Sequence, residues 1–129
     1  MSYKVLVVDD EAPVRELFDE LLKKENCEVR CIGSGEESLD LVSKEDFDVV
    51  LLDIKLSGMN GLDTLKKIKE IKPNLIVIMI TGFGYIEELI DLSMEYGSSG
   101  YIGKNLPVSE IIKNFKLFAQ AAREKNEES

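Results

Sequence analysis

The sequence predicts an α/β protein built on a doubly wound, five-stranded parallel sheet. Three observations carry that expectation. Strand-like and helix-like patterns alternate five times along 129 residues, the order that right-handed β-α-β crossovers produce. The strands read as continuous apolar runs, such as Val49-Val50-Leu51-Leu52 and Leu75-Ile76-Val77-Ile78-Met79-Ile80, as strands covered on both faces do. Several of these runs stop at a polar or charged residue, and ligands gather at the carboxyl ends of strands in open α/β sheets.

Taken in order, Tyr3 to Val8 reads as the first strand and runs into Asp9-Asp10-Glu11. Val14, Leu17, Phe18, Leu21 and Leu22 then recur at the spacing of one helix face. Pro13 suits that helix's first turn and Asn26 the left-handed residue that closes it. Cys27 to Ile32 is the second strand. Ser34-Gly35-Glu36-Glu37 has the form of a capping box and opens a helix with Leu39 and Val42 inward. The third strand, from Phe47, ends at Asp53. A glycine-bearing loop, Ile54 to Asn60, leads to a helix carrying Leu62, Leu65 and Ile68. Leu75 to Ile80 is the most apolar run, expected inside the sheet, and stops at Thr81-Gly82. Ile86, Leu89 and Ile90 mark a fourth helix that Gly97 ends. Gly100 to Gly103 forms a short fifth strand ending at Lys104. The last helix spans Pro107 to Arg123 and faces inward through Ile111, Ile112, Phe115 and Ala119. One domain over 1–123 is expected, followed by a charged, frayed tail over 124–129.

Composition narrows the chemistry. The chain is 44% hydrophobic and 32% charged, with a net charge of −9 and no histidine. The acidic balance argues against nucleic acid or an anionic membrane surface as a partner. The missing histidine removes Ser-His-Asp triads and His-ligated zinc. Cys27 and Cys31, four apart on a strand, stand roughly 13 Å from one another, too far for a disulfide. They read as small hydrophobes in a reducing compartment. No signal peptide opens the sequence and no run reaches the ~20 apolar residues of a membrane span, so a cytoplasmic protein is expected.

A parallel sheet brings all its strand ends to one edge. That edge collects Asp9 and Asp10, Asp53, Thr81 and Lys104. Singly, each has an ordinary structural explanation: acids favour a helix N-terminus, Asp suits turns, and a lysine is solvated. Together they suggest a site. Crowded carboxylates repel one another unless a cation neutralises them, and Mg²⁺ takes oxygen ligands of this kind, with Mn²⁺ an acceptable replacement. A carboxylate nucleophile, a cation, a hydroxyl and a lysine are the parts phosphoryl transfer needs, and an ionised carboxylate requires no general base.

The sequence resembles the receiver domains of bacterial two-component response regulators over essentially its whole length. The resemblance rests on Val7-Val8-Asp9-Asp10-Glu11, Leu51-Leu52-Asp53-Ile54, Ile80-Thr81-Gly82 and Gly100-Tyr101-Ile102-Gly103-Lys104. It implies the flavodoxin-like strand order 2-1-3-4-5. It also implies that Asp53 accepts a phosphoryl group from a sensor histidine kinase or a histidine phosphotransfer protein. Asp10 and Asp53 would hold Mg²⁺ directly, Asp9 through water, with the Lys55 carbonyl as a further ligand. Lys104 would pair with the phosphoryl group. Thr81 and Tyr101 would form a switch, read out through helix four, strand five and helix five by an effector domain or target protein, and a homodimer is compatible with this. Such a chain is a phosphoacceptor rather than an enzyme in the usual sense.

Two positions depart from the family pattern. Leu56-Ser57 stands where a Met-Pro pair is usual, which suggests a more mobile loop. Asn105 follows Lys104 where a proline with a cis peptide is usual. A cis bond before a non-proline residue costs about 2.5–4 kcal/mol, so a trans bond is expected. Three rivals fit less well. A haloacid-dehalogenase-like phosphatase needs a D-x-D pattern after strand one, and a nucleotide-binding protein needs a glycine-rich loop there. The intact acids argue against a receiver-like module that works without phosphorylation, while Asn105 keeps that alternative open.

Overall fold

The computed structural model describes residues 2–82 and 87–128. Its elements are β1 (Lys4–Val8), α1 (Ala12–Lys24), β2 (Glu28–Ile32), α2 (Gly35–Lys44), β3 (Val49–Asp53), α3 (Gly61–Ile71), β4 (Ile76–Thr81), α4 (Glu87–Glu95), β5 (Tyr101–Gly103) and α5 (Val108–Glu128). All strand pairs are parallel, in the order β2-β1-β3-β4-β5. The expected fold and strand order are those observed.

Successive residues on a strand face opposite sides of the sheet, and the inner strands fill both sides. Val5, Val7, Val49, Leu51, Ile78 and Ile80 pack with Phe18 and Leu22 of α1 and Ile111 and Phe115 of α5. Leu6, Val8, Val50, Leu52, Val77 and Met79 pack with Val42 of α2, Leu65 and Ile68 of α3 and Ile90 of α4. An unbroken apolar run is therefore what each of these strands needs. The most apolar run, β4, is interior, but the middle of the sheet is β3.

Local signals place most helix ends. Asn26 has φ 64° just after α1, and Gly97 has φ 102° after α4, the left-handed geometry that closes a helix. Pro13 lies in the first turn of α1. The Ser34 hydroxyl accepts from the Glu37 N–H at 3.2 Å, while the Glu37 carboxylate pairs with the Ser34 hydroxyl rather than its N–H. Asn60 caps α3 by accepting from the Asp63 N–H at 2.9 Å.

Some expectations need correction. Strands β1, β2, β4 and β5 begin one residue later than Tyr3, Cys27, Leu75 and Gly100, and β3 begins at Val49 rather than Phe47. Leu62 is only half-buried, and the inward face of α3 is Gly61, Thr64, Leu65 and Ile68. Residues 124–128 are not frayed: α5 continues to Glu128. That stretch holds no glycine or proline to stop a helix, and Asn126 Nδ2 donates to the Asn74 carbonyl at 2.9 Å. Ile86, expected in the fourth helix, lies outside the described residues. Among the described residues no peptide bond is cis, the Lys104–Asn105 bond included.

Candidate functional site

The carboxyl edge of the sheet gathers what the sequence placed there. Asp9 follows β1 and is fully buried, whereas the next residue, Asp10, is exposed. Three bonds fix Asp9. Its N–H donates to the Ile32 carbonyl at 3.1 Å, its carbonyl accepts from Arg15 Nη1 at 2.8 Å, and its Oδ1 accepts from the Glu11 N–H at 2.9 Å. Asp53 ends the central strand, 3% exposed, and its Oδ1 accepts from the Lys55 N–H at 3.1 Å. Gly61 makes room for this strand end: a Cβ there would meet the Asp53 carbonyl at 2.1 Å and Ile54 Cα at 2.7 Å.

Lys104 reaches both buried acids. Its Nζ donates to Asp53 Oδ2 at 3.0 Å, lies 2.7 Å from Asp9 Oδ2, and stands 3.3 Å from Glu11 Oε1. The backbone delivers it: the Lys104 N–H donates to the Thr81 carbonyl at 2.7 Å, directly after the β4–β5 pairing of Thr81 with Gly103. A trans Lys104–Asn105 bond therefore leaves the ammonium within reach of Asp53. The 2.7 Å contact with Asp9 is an ion pair, and among the described residues Asp9 Oδ2 is a buried oxygen without a hydrogen-bond partner.

These surroundings act on ionisation. Burial pushes the Asp53 carboxyl up from its ordinary 3.8 to about 6, with the Lys104 bond opposing and the Asp9 charge adding to it. Burial alone would depress the Lys104 ammonium, but the adjacent Asp9 and Asp53 carboxylates outweigh that and raise it above the ordinary lysine value. The site therefore holds a firmly charged lysine between carboxylates, one of which resists ionisation.

The cluster suits a hard divalent cation. Asp9, Asp10, Glu11 and Asp53 each offer an oxygen, all within 4.8 Å of one another, and the Asp9 oxygen without a hydrogen bond is a ready acceptor. Carboxylate oxygens are what Mg²⁺ and Mn²⁺ prefer. Lys55 comes to the site through its backbone N–H. Thr81, half-buried at the end of β4, and Tyr101, 38% exposed on β5, both border a cleft of about 480 Å³ with Phe118 and Asn114 of α5.

Sequence reasoning missed three contributors. Glu11 joins the acids and touches Lys104, although it belongs to the quoted Asp9-Asp10-Glu11 run. Arg15 holds the Asp9 backbone, and its i+6 spacing from Asp9 carried no signal. Ser57, noted only as a departure from pattern, bonds Asp10: its Oγ and its N–H donate to Asp10 Oδ2 at 2.8 and 3.2 Å. The loop from 54 to 60 is thereby tied to the segment after β1, and at Met59, whose N–H donates to Glu36 Oε1 at 3.3 Å, to α2.

Residues 5–116 match the model of the response regulator receiver domain. Among curated proteins, sporulation initiation phosphotransferase F of Bacillus subtilis (strain 168) is 38% identical over 111 residues, 86% of this chain and 89% of that protein. Among solved structures, the CheY-like receiver domain protein of Methanospirillum hungatei superposes with a TM-score of 0.88 at 26% identity, covering 97% of this chain and 99% of that one. NtrX of Brucella abortus superposes with a TM-score of 0.90 at 31% identity, over 98% of this chain but only 29% of its own longer chain.

Proposed function

The chain belongs to the response regulator receiver domain family, and from that premise we propose that Asp53 is its phosphoacceptor. The observation that carries this is the position of Lys104, whose Nζ bonds Asp53 Oδ2 at 3.0 Å and pairs with buried Asp9 at 2.7 Å. A phosphorylated histidine of a sensor kinase or a phosphotransfer protein is the donor. An Asp53 carboxylate oxygen forms a bond to phosphorus while the bond from phosphorus to the imidazole nitrogen breaks, and that nitrogen keeps the electron pair. The carboxylate has no proton to lose, so no general base is required. The relative's name, a phosphotransferase, supports phosphoryl transfer as the chemistry of this chain.

Lys104 supplies fixed positive charge where the equatorial oxygens of the phosphoryl group come to lie, and Thr81 supplies a hydroxyl donor beside it. Asp10 and Asp53 would hold Mg²⁺, with Asp9 acting through water and the Lys55 carbonyl as a further ligand, and the ion would neutralise phosphoryl charge. Phosphorylation draws Thr81 toward Asp53 and turns Tyr101 inward, and α4, β5 and α5 present the change to an effector domain or target protein. Residues 1–123 form the receiver unit, acting in the cytoplasm as a monomer or a homodimer, without contact to nucleic acid or membrane. No helix among the described residues is long and apolar enough to cross a membrane.

Incubation with Mg²⁺ and acetyl phosphate, followed by intact mass, tests the assignment. One acid-labile phosphate should appear, and it should vanish without Mg²⁺ and in Asp53→Asn. A phosphate that persists in Asp53→Asn moves the acceptor elsewhere.

A further inference from the structure

The carboxylates at this edge are not all held in the same way. Asp9 and Asp53 are held by burial, Lys104 and backbone N–H groups, but Asp10 is exposed. An exposed carboxylate beside other acids gains by turning away from them into water. Asp10 nevertheless keeps an oxygen within 4.8 Å of those of Asp9, Glu11 and Asp53. The two bonds from Ser57, Oγ at 2.8 Å and N–H at 3.2 Å, are what hold it. Hydrogen bonds to an ionised acceptor are among the stronger ones. Both end on Oδ2, and among the described residues no bond is made to Oδ1, whose lone pairs stay open to a cation.

Ser57 is itself carried on a braced loop. Ile54 and Leu56 are buried in the core on the α2–α3 side, which leaves Lys55 and Ser57 pointing out of it. Beyond Ser57, Gly58 turns the chain at φ 75°, and Met59 is tied to Glu36. The Gly61 N–H then donates back to the Ile54 carbonyl at 3.0 Å, closing the loop on itself. A proline at 57 has neither an N–H nor a hydroxyl to give. This chain thus joins its metal-ligand loop to the segment after β1 through a backbone N–H that a proline would lack and a hydroxyl that the serine supplies.

We propose that Ser57 is a positioning residue for divalent-cation binding, holding Asp10 among the other carboxylates before the ion arrives. The inference rests on the assignment of Asp10 as a Mg²⁺ ligand. Partners that orient a ligand in this way typically contribute about tenfold or more in metal affinity.

Calorimetric titration of the unphosphorylated protein with MgCl₂ tests it, with wild type, Ser57→Ala and Ser57→Thr compared, and melting in EDTA recorded for all three. Ser57→Ala should bind Mg²⁺ about tenfold more weakly, and Ser57→Thr, which keeps both donors, should bind as wild type does. Melting in EDTA should be the same for all three. Equal or tighter binding by Ser57→Ala overturns the inference, because Ser57 would then be idle or competing with the ion for Asp10. A fall in melting temperature in EDTA that matches the loss of affinity also overturns it, since the role would be structural. No binding by wild type removes the metal assignment itself, and with it the premise.

Discussion

Asp53 is a carboxylate set where ionisation is costly, and its neighbours show how that cost is divided. Burial pushes its pKa from 3.8 to about 6 even though Lys104 donates to it. A folded-state pKa above the unfolded one means that the folded chain binds the proton more tightly. Stability from this group is therefore present below pH 3.8 and is lost as pH rises through about 6. The difference corresponds to about 3 kcal/mol. In metal-free buffer, Asp53→Asn should raise the urea-unfolding free energy at about pH 7.5 by up to that amount, and the gain should shrink between about pH 6 and pH 4. A gain independent of pH would show that the carboxyl is not displaced in this way. Lys104→Met should act in the opposite direction, because it leaves Asp9 and Asp53 buried and facing each other without a cation. A loss of about 3–5 kcal/mol near neutral pH is expected, partly recovered on acidification as Asp53 takes up a proton.

The elements around the site are held by close approaches that only a missing side chain allows. Gly61 opens α3 directly against the Asp53–Ile54 backbone, where a Cβ would lie 2.1 Å from a carbonyl oxygen and 2.7 Å from a Cα. Backbone cannot swing aside as a side chain can. Gly61→Ala should therefore displace the end of β3 and cost about 1–3 kcal/mol as an overpacked site, measured by urea unfolding, with weaker Mg²⁺ binding alongside. Unchanged stability would mean that α3 can slide away from β3 freely. Gly35 makes the equivalent approach between α2 and α3, where a Cβ would lie 2.2 Å from the Thr64 hydroxyl; Thr64 Oγ1 is already committed to the Asn60 carbonyl at 2.8 Å. The loop between β3 and α3, which pattern alone suggested would be mobile, is thus bounded by a tight glycine contact at one end and the Ser57–Asp10 bonds in its middle.

At the scale of the molecule, one sheet separates two cores and also joins them. Leu51 and Leu52 are adjacent on β3 and fully buried, yet Leu51 packs on the α1–α5 side and Leu52 on the α2–α3 side. Truncation of either to alanine should cost about 2–5 kcal/mol. Because both side chains hang from the same strand, each variant should unfold in a single transition seen alike by circular dichroism and tyrosine fluorescence; two resolved transitions would separate the layers. The same coupling links the site to global stability. A cation bound to the folded state alone raises its stability by about 2.7 kcal/mol at about a hundred times the dissociation constant. Saturating Mg²⁺ should lift the melting temperature and EDTA should reverse it, and an unmoved transition would count against the carboxylate cluster as a metal site.

The amino-acid sequence by itself determined the fold class, the strand order through resemblance, and which residues meet at the carboxyl edge. These are legible because they follow from order and period: a strand covered on both faces must be apolar throughout, and parallel strands must end together. Helix stops at Asn26 and Gly97 were legible for the same kind of reason, since the left-handed residue that closes a helix has few candidates. Only the tertiary structure decided how the charges share out. That Lys104 spans Asp9 and Asp53, that Glu11 joins them, that Arg15 props the Asp9 backbone and that Ser57 holds Asp10 across 47 residues of chain are contacts between separate segments. Hydrogen-bond direction and burial set them, and neither has a period along the chain. The continuation of α5 to Glu128 belongs with them: its charged composition reads as a frayed end, and its contact with Asn74 exists only once the sheet has brought the two together.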